Sequence, residues 1–298
     1  MYDITIIGAG PAGLTAAIYG RRANKKVLVL EANTYGGQII TTDKIENYPV
    51  NPGISGFDFA TKLYNQVKDL GAEIKFEKVT DIKENEVITT KNTYKTKTII
   101  IATGRDNRKL NLENEDKLTG KGVSYCATCD GAFYKNKVVA VNGGGNTAVE
   151  DALYLSDIAQ TVYLIHRRDT FRAEAVLIDR LKEKENIKIV LNTTITKING
   201  ENKLENIEIK NPTETKTLNV DGLFIAVGQV PETENFKKLI NSDEKGYIIA
   251  GEDCKTNIKN IFVAGDTRTK SLRQLVTATG DGAVAATEAI KYISENKE

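Results

Sequence analysis

The stretch YDITIIGAGPAGLTAAIYGRRANKKVLVLE, residues 2–31, decides the fold of the N-terminal part of the chain. It predicts a strand, a glycine-rich turn, a helix and a second strand. Gly8, Gly10 and Gly13 follow the pattern G-x-G-x-x-G, and Glu31 follows Gly13 by 18 residues at the end of the second strand. Such glycines allow a tight turn, a close approach of the backbone to a pyrophosphate, and close packing of the helix on the strand. The pattern predicts a dinucleotide at the helix N-terminus, and the alternative is an ordinary turn between a strand and a helix.

A second stretch, KVVAVNGGGNTAVEDALYLSDIAQTVYLIHRRD at residues 137–169, repeats this arrangement. The repeat keeps the small residues and the 18-residue offset, at Gly143, Gly145, Ala148 and His166. Arg167 and Arg168 follow at the position where the first unit has Glu31. A carboxylate accepts hydrogen bonds from ribose hydroxyls, whereas guanidinium groups pair with a 2′-phosphate. The first unit therefore fits FAD or NAD and the second fits NADP(H), with a solvated basic surface as the alternative for the second.

The two units resemble each other beyond their nucleotide turns. KTIIIATGRD and GLFIAVGQVP each predict a strand that ends in a small-residue turn, and polar stretches that could serve as linkers come after both. The last 55 residues or so are marginal as an independent domain, so we expect them to complete the first unit. The predicted fold is α/β, with two Rossmann-like domains of the three-layer ββα type, the second inserted into the first. The expected boundaries are 1–112 with 242–298 for a discontinuous FAD-binding domain and 113–241 for the NADPH-binding domain.

Composition narrows the classes of function. Lys and Arg number 41 against 40 Asp and Glu, so the net charge of +1 gives no basic field for a nucleic acid or a membrane. Apolar runs such as TIIIAT fall far short of the roughly 18 residues that span a bilayer. The N-terminus enters a strand without a signal-peptide pattern, so a cytoplasmic location is expected. His166 is the only histidine, which removes most histidine-based catalysis.

The stretch SYCATCDGAF holds Cys126 and Cys129, two of the three cysteines. A zinc site needs two further ligands, and the chain offers only Cys254 and His166, the latter beside two arginines, so no metal is expected. A structural disulfide across so short a loop stabilises a protein by about 2 kcal/mol at most. A C-x-x-C pair that is readily oxidised and reduced is the interpretation that these residues favour. NADPH donates hydride, a flavin accepts it, and the cysteine pair is the natural end of that path.

Asp130 directly follows Cys129 and is the nearest candidate to move protons for a thiol. Partial burial beside a flavin would raise the pKa of a carboxyl group toward the working range. The alternative role of Asp130 is that of a helix N-cap, and the two roles are compatible.

Six motifs together resemble a known family. GAGPAGLTAAIY, GGQI, CATCDG, GGGNTAVE, HRRDTFRA and VAGD…RQL occur in the order and at the spacing of the bacterial low-molecular-weight thioredoxin reductases, over essentially the full length. The resemblance implies a homodimer of two-domain subunits that binds FAD and NADPH and reduces thioredoxin. It also implies that the NADPH domain is the inserted one and carries the cysteine pair.

The resemblance further implies residue roles. Cys129 would face the flavin, Cys126 would attack the thioredoxin disulfide, and Asp130 would be the acid or base. On the FAD side Glu31 would contact a ribose, Asp266 the ribityl chain and Arg273 the ring edge. The FAD-site residues expected in full are Gly8, Gly10, Pro11, Ala12, Gly13, Glu31, Gly37, Gln38, Thr42, Asn47, Val79, Ala102, Thr103, Gly104, Gly265, Asp266, Arg273, Gln274 and Leu275. Those expected for NADPH are Gly143, Gly145, Asn146, Thr147, Ala148, His166, Arg167, Arg168 and Arg172.

The inserted domain is expected to move during the reaction. Because the nicotinamide and the cysteine pair would belong to one domain and must meet the same flavin, we expect that domain to rotate between the two half-reactions. A different disulfide carrier of the glutaredoxin or peroxiredoxin type, or a nucleotide-binding redox sensor without turnover, remains an alternative.

Cys254 matches no motif of the family and is expected to be an unreactive thiol. Asn142 stands where an apolar strand residue is expected, without an explanation from the sequence.

Overall fold

The structure, a computed structural model, describes residues 1–42, 45 and 47–296, except for the side chains of Thr41 and Cys129. The chain forms two compact units. Unit 1 comprises Met1–Asp106 and Val230–Glu298, and unit 2 comprises Asn107–Gln229. The second unit is thus inserted into the first, in agreement with the predicted order.

Unit 1 contains a first run of elements that alternate between strands and helices and then continue as strands. They are β1 (Tyr2–Ile7), α1 (Pro11–Arg22), β2 (Val27–Glu31), a 3-10 turn (Gly37–Thr41), α2 (Gly56–Asp69), β3 (Glu73–Phe76), β4 (Val79–Lys83), β5 (Glu86–Thr89), β6 (Thr93–Ile101) and β7 (Arg105–Asn107), the last of which ends in unit 2.

Unit 2 repeats the alternation, and the chain then returns to unit 1. The elements are α3 (Glu115–Leu118), β8 (Val123–Ser124), α4 (Ala127–Asp130), a 3-10 turn (Gly131–Tyr134), β9 (Val138–Gly143), α5 (Asn146–Ser156), β10 (Thr161–Ile165), α6 (Ala175–Lys182), β11 (Ile187–Val190), β12 (Thr194–Asn199), β13 (Asn206–Lys210), β14 (Thr215–Asn219), β15 (Gly222–Ala226) and β16 (Gln229–Pro231). After the return come a 3-10 turn (Glu234–Phe236), β17 (Ile261–Val263), a 3-10 turn (Gly265–Thr267) and α7 (Leu275–Glu295).

The parallel sheets of the two units have a similar strand order and differ in the edge strand, since β17 comes last in the chain whereas β8 comes before β9. In unit 1 the parallel strands lie in the order β3-β2-β1-β6-β17, and β4 and β5 extend the sheet from β6 in antiparallel fashion. In unit 2 the parallel order is β11-β10-β9-β15-β8, beside an antiparallel sheet of β12, β13 and β14. In both units the strand before the glycine turn is central, and the sheet order reverses beside it, which is where parallel α/β sheets bind ligands. The prediction of two Rossmann-like domains is confirmed.

Strand β6 shows why unit 1 has three layers. Its first half alternates between exposed and buried residues, as expected of an antiparallel strand with one face in water, and its last four residues are all buried. Successive side chains point to opposite faces, so Ile100 packs with the α1 and α7 side of the core, whereas Ile99 and Ile101 pack with the opposite side. Both faces of the parallel sheet are therefore covered, by helices on one side and by strands and turns on the other.

The chain changes unit earlier than the sequence boundaries at 112 and 241 suggest. Leu112 packs against a core cluster of unit 2, and Phe236 and Ile240 are buried in a core of unit 1. Each polar stretch contains a few such apolar residues, and these pack most of the stretch against a core. The chain passes from one unit to the other after Asp106 and after Gln229. No helix among the described residues combines the length and the apolar composition that crossing a bilayer requires.

Candidate functional site

The residues expected to hold FAD all belong to unit 1. Most of them lie on the loops that come after β2, β1, β6 and β17, which are neighbouring parallel strands of one sheet. Because the carboxyl ends of these strands meet at one edge, the loops converge there. Backbone bonds join them: Gly8 N donates to Leu30 O, Ala102 N to Ile7 O and Ala264 N to Ile101 O.

The glycine turn after β1 leaves space for a ligand at one position only. Gly8 has φ +108°, and a Cβ there would lie 2.3 Å from Ala102 O, while a Cβ on Gly13 would lie 1.9 Å from Gly8 O. The fold itself requires these two glycines. A Cβ on Gly10, by contrast, would meet only Gly37 Cα, at 4.0 Å. Nothing in the packing demands glycine at position 10, so the open space beside it, at the N-terminus of α1, fits a pyrophosphate.

The carboxylate of Glu31 lies beside this turn at the end of β2. Its Oε2 accepts a hydrogen bond from Ala9 N at 2.8 Å, and its Oε1 accepts one from Asn33 N at 3.0 Å. Each oxygen keeps a second acceptor position. The arrangement fixes an anionic acceptor next to the glycine turn, as contact with ribose hydroxyls requires.

Asp266 and Arg105 form a polar pair at the same edge. Arg105 Nη2 lies 2.8 Å from Asp266 Oδ2, yet Asp266 Oδ1 and Arg105 Nε are buried without a hydrogen-bond partner among the described residues. Buried polar atoms are rarely left unpaired, so these two atoms indicate a missing ligand that both donates and accepts. A hydroxyl group does both, which fits the ribityl chain of a flavin. Arg105 was not among the residues predicted from the sequence, because its partner Asp266 lies 161 positions away.

Side-chain contacts join further expected residues to this pair or to their own neighbours. Gln38 Nε2 donates to Arg105 O at 2.8 Å, and Asn47 Nδ2 donates to Gln274 Oε1 at 3.0 Å, just before α7. The guanidinium of Arg273 lies over the ring of Tyr247, 4.0 Å from the ring centre.

Backbone position places the remaining expected residues. Pro11 and Ala12 lie at the glycine turn, and Gly37 begins the 3-10 turn after β2. Thr103 and Gly104 follow β6, Gly265 follows β17 and Leu275 begins α7. Thr42 ends the Gly37–Thr41 turn through a bond to Ile39 O. Val79 is buried at the start of β4, where its carbonyl accepts a bond from Asn235. Its side chain packs in the core cluster that contains Ile7, Ile101 and Val263, the last residues of β1, β6 and β17.

The second glycine turn, in unit 2, has the same design. A Cβ on Gly143 would lie 2.3 Å from Ala226 O, whereas a Cβ on Gly145 would meet nothing within 4 Å. Gly145 is the N-cap of α5, and Ala148 is fully buried in the third position of the pattern. The open space therefore lies again beside the middle glycine, at a helix N-terminus.

The arginine segment after β10 is attached directly to this turn. Arg172 N donates to Gly144 O at 2.7 Å, and Asn146 exchanges two hydrogen bonds with Glu174, at 2.8 and 2.9 Å. This segment exposes the side chains of three arginines, Arg167, Arg168 and Arg172. The side chain of Thr147, in the first turn of α5, is exposed as well. Three guanidinium groups beside an open glycine turn suit a 2′-phosphate.

His166, which was expected at the NADPH site, has its ring inside the protein beside the glycine turn. Its ring is buried, stacks on Phe171 and has Nε2 3.0 Å from Thr170 O, and a Cβ on Gly144 would collide with it. Burial and the charges of the neighbouring arginines lower its pKa, against the opposing effect of the Thr170 bond. The ring supports the turn from inside the protein.

The cysteine pair lies in unit 2 at helix α4. Cys126 is half-buried and disulfide-bonded, and the side chain of Cys129 lies outside the described residues. Ser124 Oγ accepts a bond from Cys126 N at 3.0 Å and donates to Asp130 Oδ2 at 2.6 Å. A buried serine thus fixes the carboxylate of Asp130 relative to Cys126. Asp130 precedes the Gly131–Tyr134 turn, but its side chain makes no cap bond there, so the carboxylate is not used as an N-cap.

Two residues that the sequence left without a role lie in the cores. Cys254 is a free, fully buried thiol, and burial raises its pKa to about 12. Asn142 is buried in β9 between Ile165 of β10 and Ile225 of β15. Ser124, two positions before Cys126, was not among the site residues predicted from the sequence.

Comparisons with known proteins agree with this geometry. Residues 2–282 match the pyridine nucleotide-disulphide oxidoreductase family. The thioredoxin reductase of Listeria innocua is 45% identical, with 100% of this chain and 96% of that protein covered. The crystal structure of Lactococcus lactis thioredoxin reductase is 41% identical with a TM-score of 0.90, over 99% of this chain and 100% of the other. That of T. acidophilum thioredoxin reductase is 31% identical with a TM-score of 0.86, over 97% and 98%. The resemblance found in the motifs is confirmed, and the chain belongs to the pyridine nucleotide-disulphide oxidoreductase family.

Proposed function

We propose that this chain is a thioredoxin-disulfide reductase that uses NADPH and FAD. The observation that carries the proposal is the disulfide at Cys126, in the same unit as a nucleotide turn flanked by three exposed arginines. Relatives that carry the name thioredoxin reductase cover the full chain. Unit 1 would bind FAD and unit 2 would bind NADPH.

The residues of unit 1 would bind and orient the flavin cofactor. The turn at Gly10 would accept the pyrophosphate, Glu31 a ribose, and Asp266 with Arg105 a hydroxyl of the ribityl chain. Bound FAD would accept hydride from NADPH and pass two electrons to the Cys126–Cys129 disulfide. Asn146, Thr147 and the arginines would hold NADPH, with Arg167 and Arg168 as the source of its preference over NADH.

The cysteines would carry the electrons to the protein substrate. The Cys126 thiolate would attack the thioredoxin disulfide, forming a mixed disulfide and releasing one thioredoxin thiolate, which takes up a proton. The Cys129 thiolate would then attack the Sγ of Cys126, restoring the Cys126–Cys129 disulfide and releasing the second thioredoxin thiol. Asp130, held by Ser124, is the proposed proton donor for the departing thiolate.

We also propose a homodimer in the cytoplasm, and exposure of the flavin to NADPH and to the cysteine pair in turn. Because both partners of the flavin would belong to unit 2, that unit must change its orientation between the half-reactions. A crosslink between the units that left turnover intact would contradict this part of the proposal.

The decisive experiment is an anaerobic titration of the purified protein with NADPH, followed by oxidised thioredoxin. We expect NADPH to bleach the flavin absorbance and thioredoxin to restore it. Cys126→Ser should still bleach but should not be reoxidised by thioredoxin. If only another disulfide carrier reoxidised the flavin, that carrier would replace thioredoxin as the proposed substrate. A flavin spectrum that does not change on addition of NADPH would favour a redox sensor without turnover.

A further inference from the structure

Helix α7 carries a buried carboxylate that the proposed function does not use. Asp281 is only 7% exposed, and its two oxygens receive hydrogen bonds from three other residues. Arg268 donates to both oxygens at 2.8 Å, and Lys270 Nζ lies 2.8 Å from Oδ2. Both cations are almost fully buried as well. The ion pairs compensate the charges, because a buried carboxylate is stable only when it is paired and hydrogen-bonded.

The fourth hydrogen bond to Asp281 leads to the cofactor loop. Gly265 N donates to Asp281 Oδ2 at 2.9 Å, and the next residue along the chain is Asp266. Gly265 has φ +80°, and because glycine loses more conformational freedom on folding than any other residue, a bond to its amide helps to hold the turn in one conformation. Hydrogen bonds from N–H groups to an ionised acceptor are roughly twice as strong as those to a neutral one. The Asp281 carboxylate therefore fixes the backbone from which the unpaired Oδ1 of Asp266 projects.

The same part of α7 also contacts the first glycine turn. A Cβ on Gly282 would lie 2.2 Å from Ala12 O, and a Cβ on Gly265 would lie 2.9 Å from Ala12 Cβ. Asp281 thus lies where α7, the loop after β17 and the start of α1 come together. A shift of its carboxylate would be transmitted to two of the loops that make up the candidate flavin site.

We propose that Asp281 is a positioning residue of the flavin site, which holds the Gly265–Thr267 turn so that Asp266 can accept a bond from a cofactor hydroxyl. The inference rests on the proposed function in that the cofactor is FAD. Asp281 does not contact the cofactor; it acts through the Gly265 amide. Removing its charge releases the turn, so that FAD leaves faster.

The test compares Asp281→Asn with a matched control in the same unit. Glu77 is also a buried carboxylate and receives three hydrogen bonds, from Thr89, Asn92 and Tyr94, but it has no described contact with the flavin loops. FAD release from each FAD-loaded variant is followed by the fluorescence of free flavin, and Tm is measured in parallel. We expect Asp281→Asn to release FAD about tenfold faster or more. Glu77→Gln should lower Tm but release FAD within about twofold of the wild-type rate.

Two further variants keep the test decisive if Asp281→Asn does not fold. Asp281→Glu keeps the charge that Arg268 and Lys270 need, but displaces the oxygens from the Gly265 amide, so it should also release FAD faster. Lys270→Met leaves the bond between Asp281 and Gly265 in place and should release FAD within about threefold of the wild-type rate.

Different failures identify different errors. Wild-type FAD release in both Asp281 variants, or equally fast release in Lys270→Met or Glu77→Gln, overturns the positioning role. A wild-type protein that binds no FAD overturns the proposed function instead.

Discussion

Replacement of Gly145 by alanine tests whether the second glycine turn binds a nucleotide or is an ordinary structural turn. The backbone of Gly145, with φ −100° and ψ −177°, is accessible to alanine, and the added Cβ would meet no atom of the described residues within 4 Å. Alanine is a poorer N-cap than glycine, which lowers the free energy of unfolding by about 1 kcal/mol. Alanine also restricts the unfolded chain, which raises the free energy of unfolding by about 1 kcal/mol. The free energy of unfolding should therefore change by less than about 1 kcal/mol.

The cost should appear in nucleotide binding instead. A methyl group in the open space beside the N-terminus of α5 occupies the position proposed for the NADPH pyrophosphate. We expect the apparent dissociation constant for NADPH, taken from the rate of flavin bleaching at increasing NADPH, to rise at least about tenfold, or about 1.4 kcal/mol. FAD content should not change, because Gly145 belongs to unit 2.

Two other glycines serve as controls for this experiment. Gly143→Ala places a Cβ 2.3 Å from Ala226 O and should cost about 1–3 kcal/mol of stability through overpacking. Gly280→Ala, within α7, meets nothing within 4 Å and should alter neither NADPH binding nor FAD content. Unchanged NADPH binding in Gly145→Ala, or a loss of stability equal to that of Gly143→Ala, would refute the reasoning.

Three further predictions concern the candidate site and the core. The double variant Arg167→Ala with Arg168→Ala should weaken NADPH at least about tenfold more than NADH in flavin reduction, and equal losses would exclude a 2′-phosphate contact. Ser124→Ala should slow thioredoxin reduction but not flavin bleaching by NADPH, since it removes only the hydrogen bonds to the Asp130 carboxylate and with the backbone of Cys126; stopped-flow spectroscopy separates the two steps. Burial raises the pKa of Glu77, but its three hydrogen bonds outweigh burial and the net pKa is lowered. The stability that Glu77 contributes is thus complete above its unfolded pKa of about 4.3 and is lost as pH falls through its folded pKa, so urea unfolding of Glu77→Gln should depend less on pH below about pH 5.

Local sequence signals predicted the fold and located the two glycine turns with the residues beside them. The glycine turns, Glu31 and the arginine segment lie within single strand–helix–strand units, where short spacing determines the structure. Arg105 and Asp281 could not be found in this way, because their partners Asp266 and Gly265 lie far away along the chain or carry no side-chain signal. Ser124 was within reach, two positions before Cys126.

His166 and the unit boundaries show a different limit. The position of His166 after β10 was predicted, but the direction of its ring depends on Phe171 and on the space that Gly144 leaves. The boundaries depend on a few apolar residues, such as Phe236 and Ile240, within stretches whose average composition is polar. Composition describes a segment, whereas packing depends on individual side chains.

The pairing of β17 with β6 has a consequence for the synthesis of the protein. Ile99 pairs with Ile261, 162 positions later, and the whole of unit 2 is translated between them. At about 5–20 residues per second, the ribosome needs about 8–30 s to cover that distance. Unit 2 is continuous in sequence and can fold during this interval, whereas the last three residues of β6, which pair with β17, wait with one edge unpaired, the kind of edge that recruits strands from other chains. Nascent unit 1 therefore keeps an incomplete sheet until the whole of unit 2 and the C-terminal segment have been made.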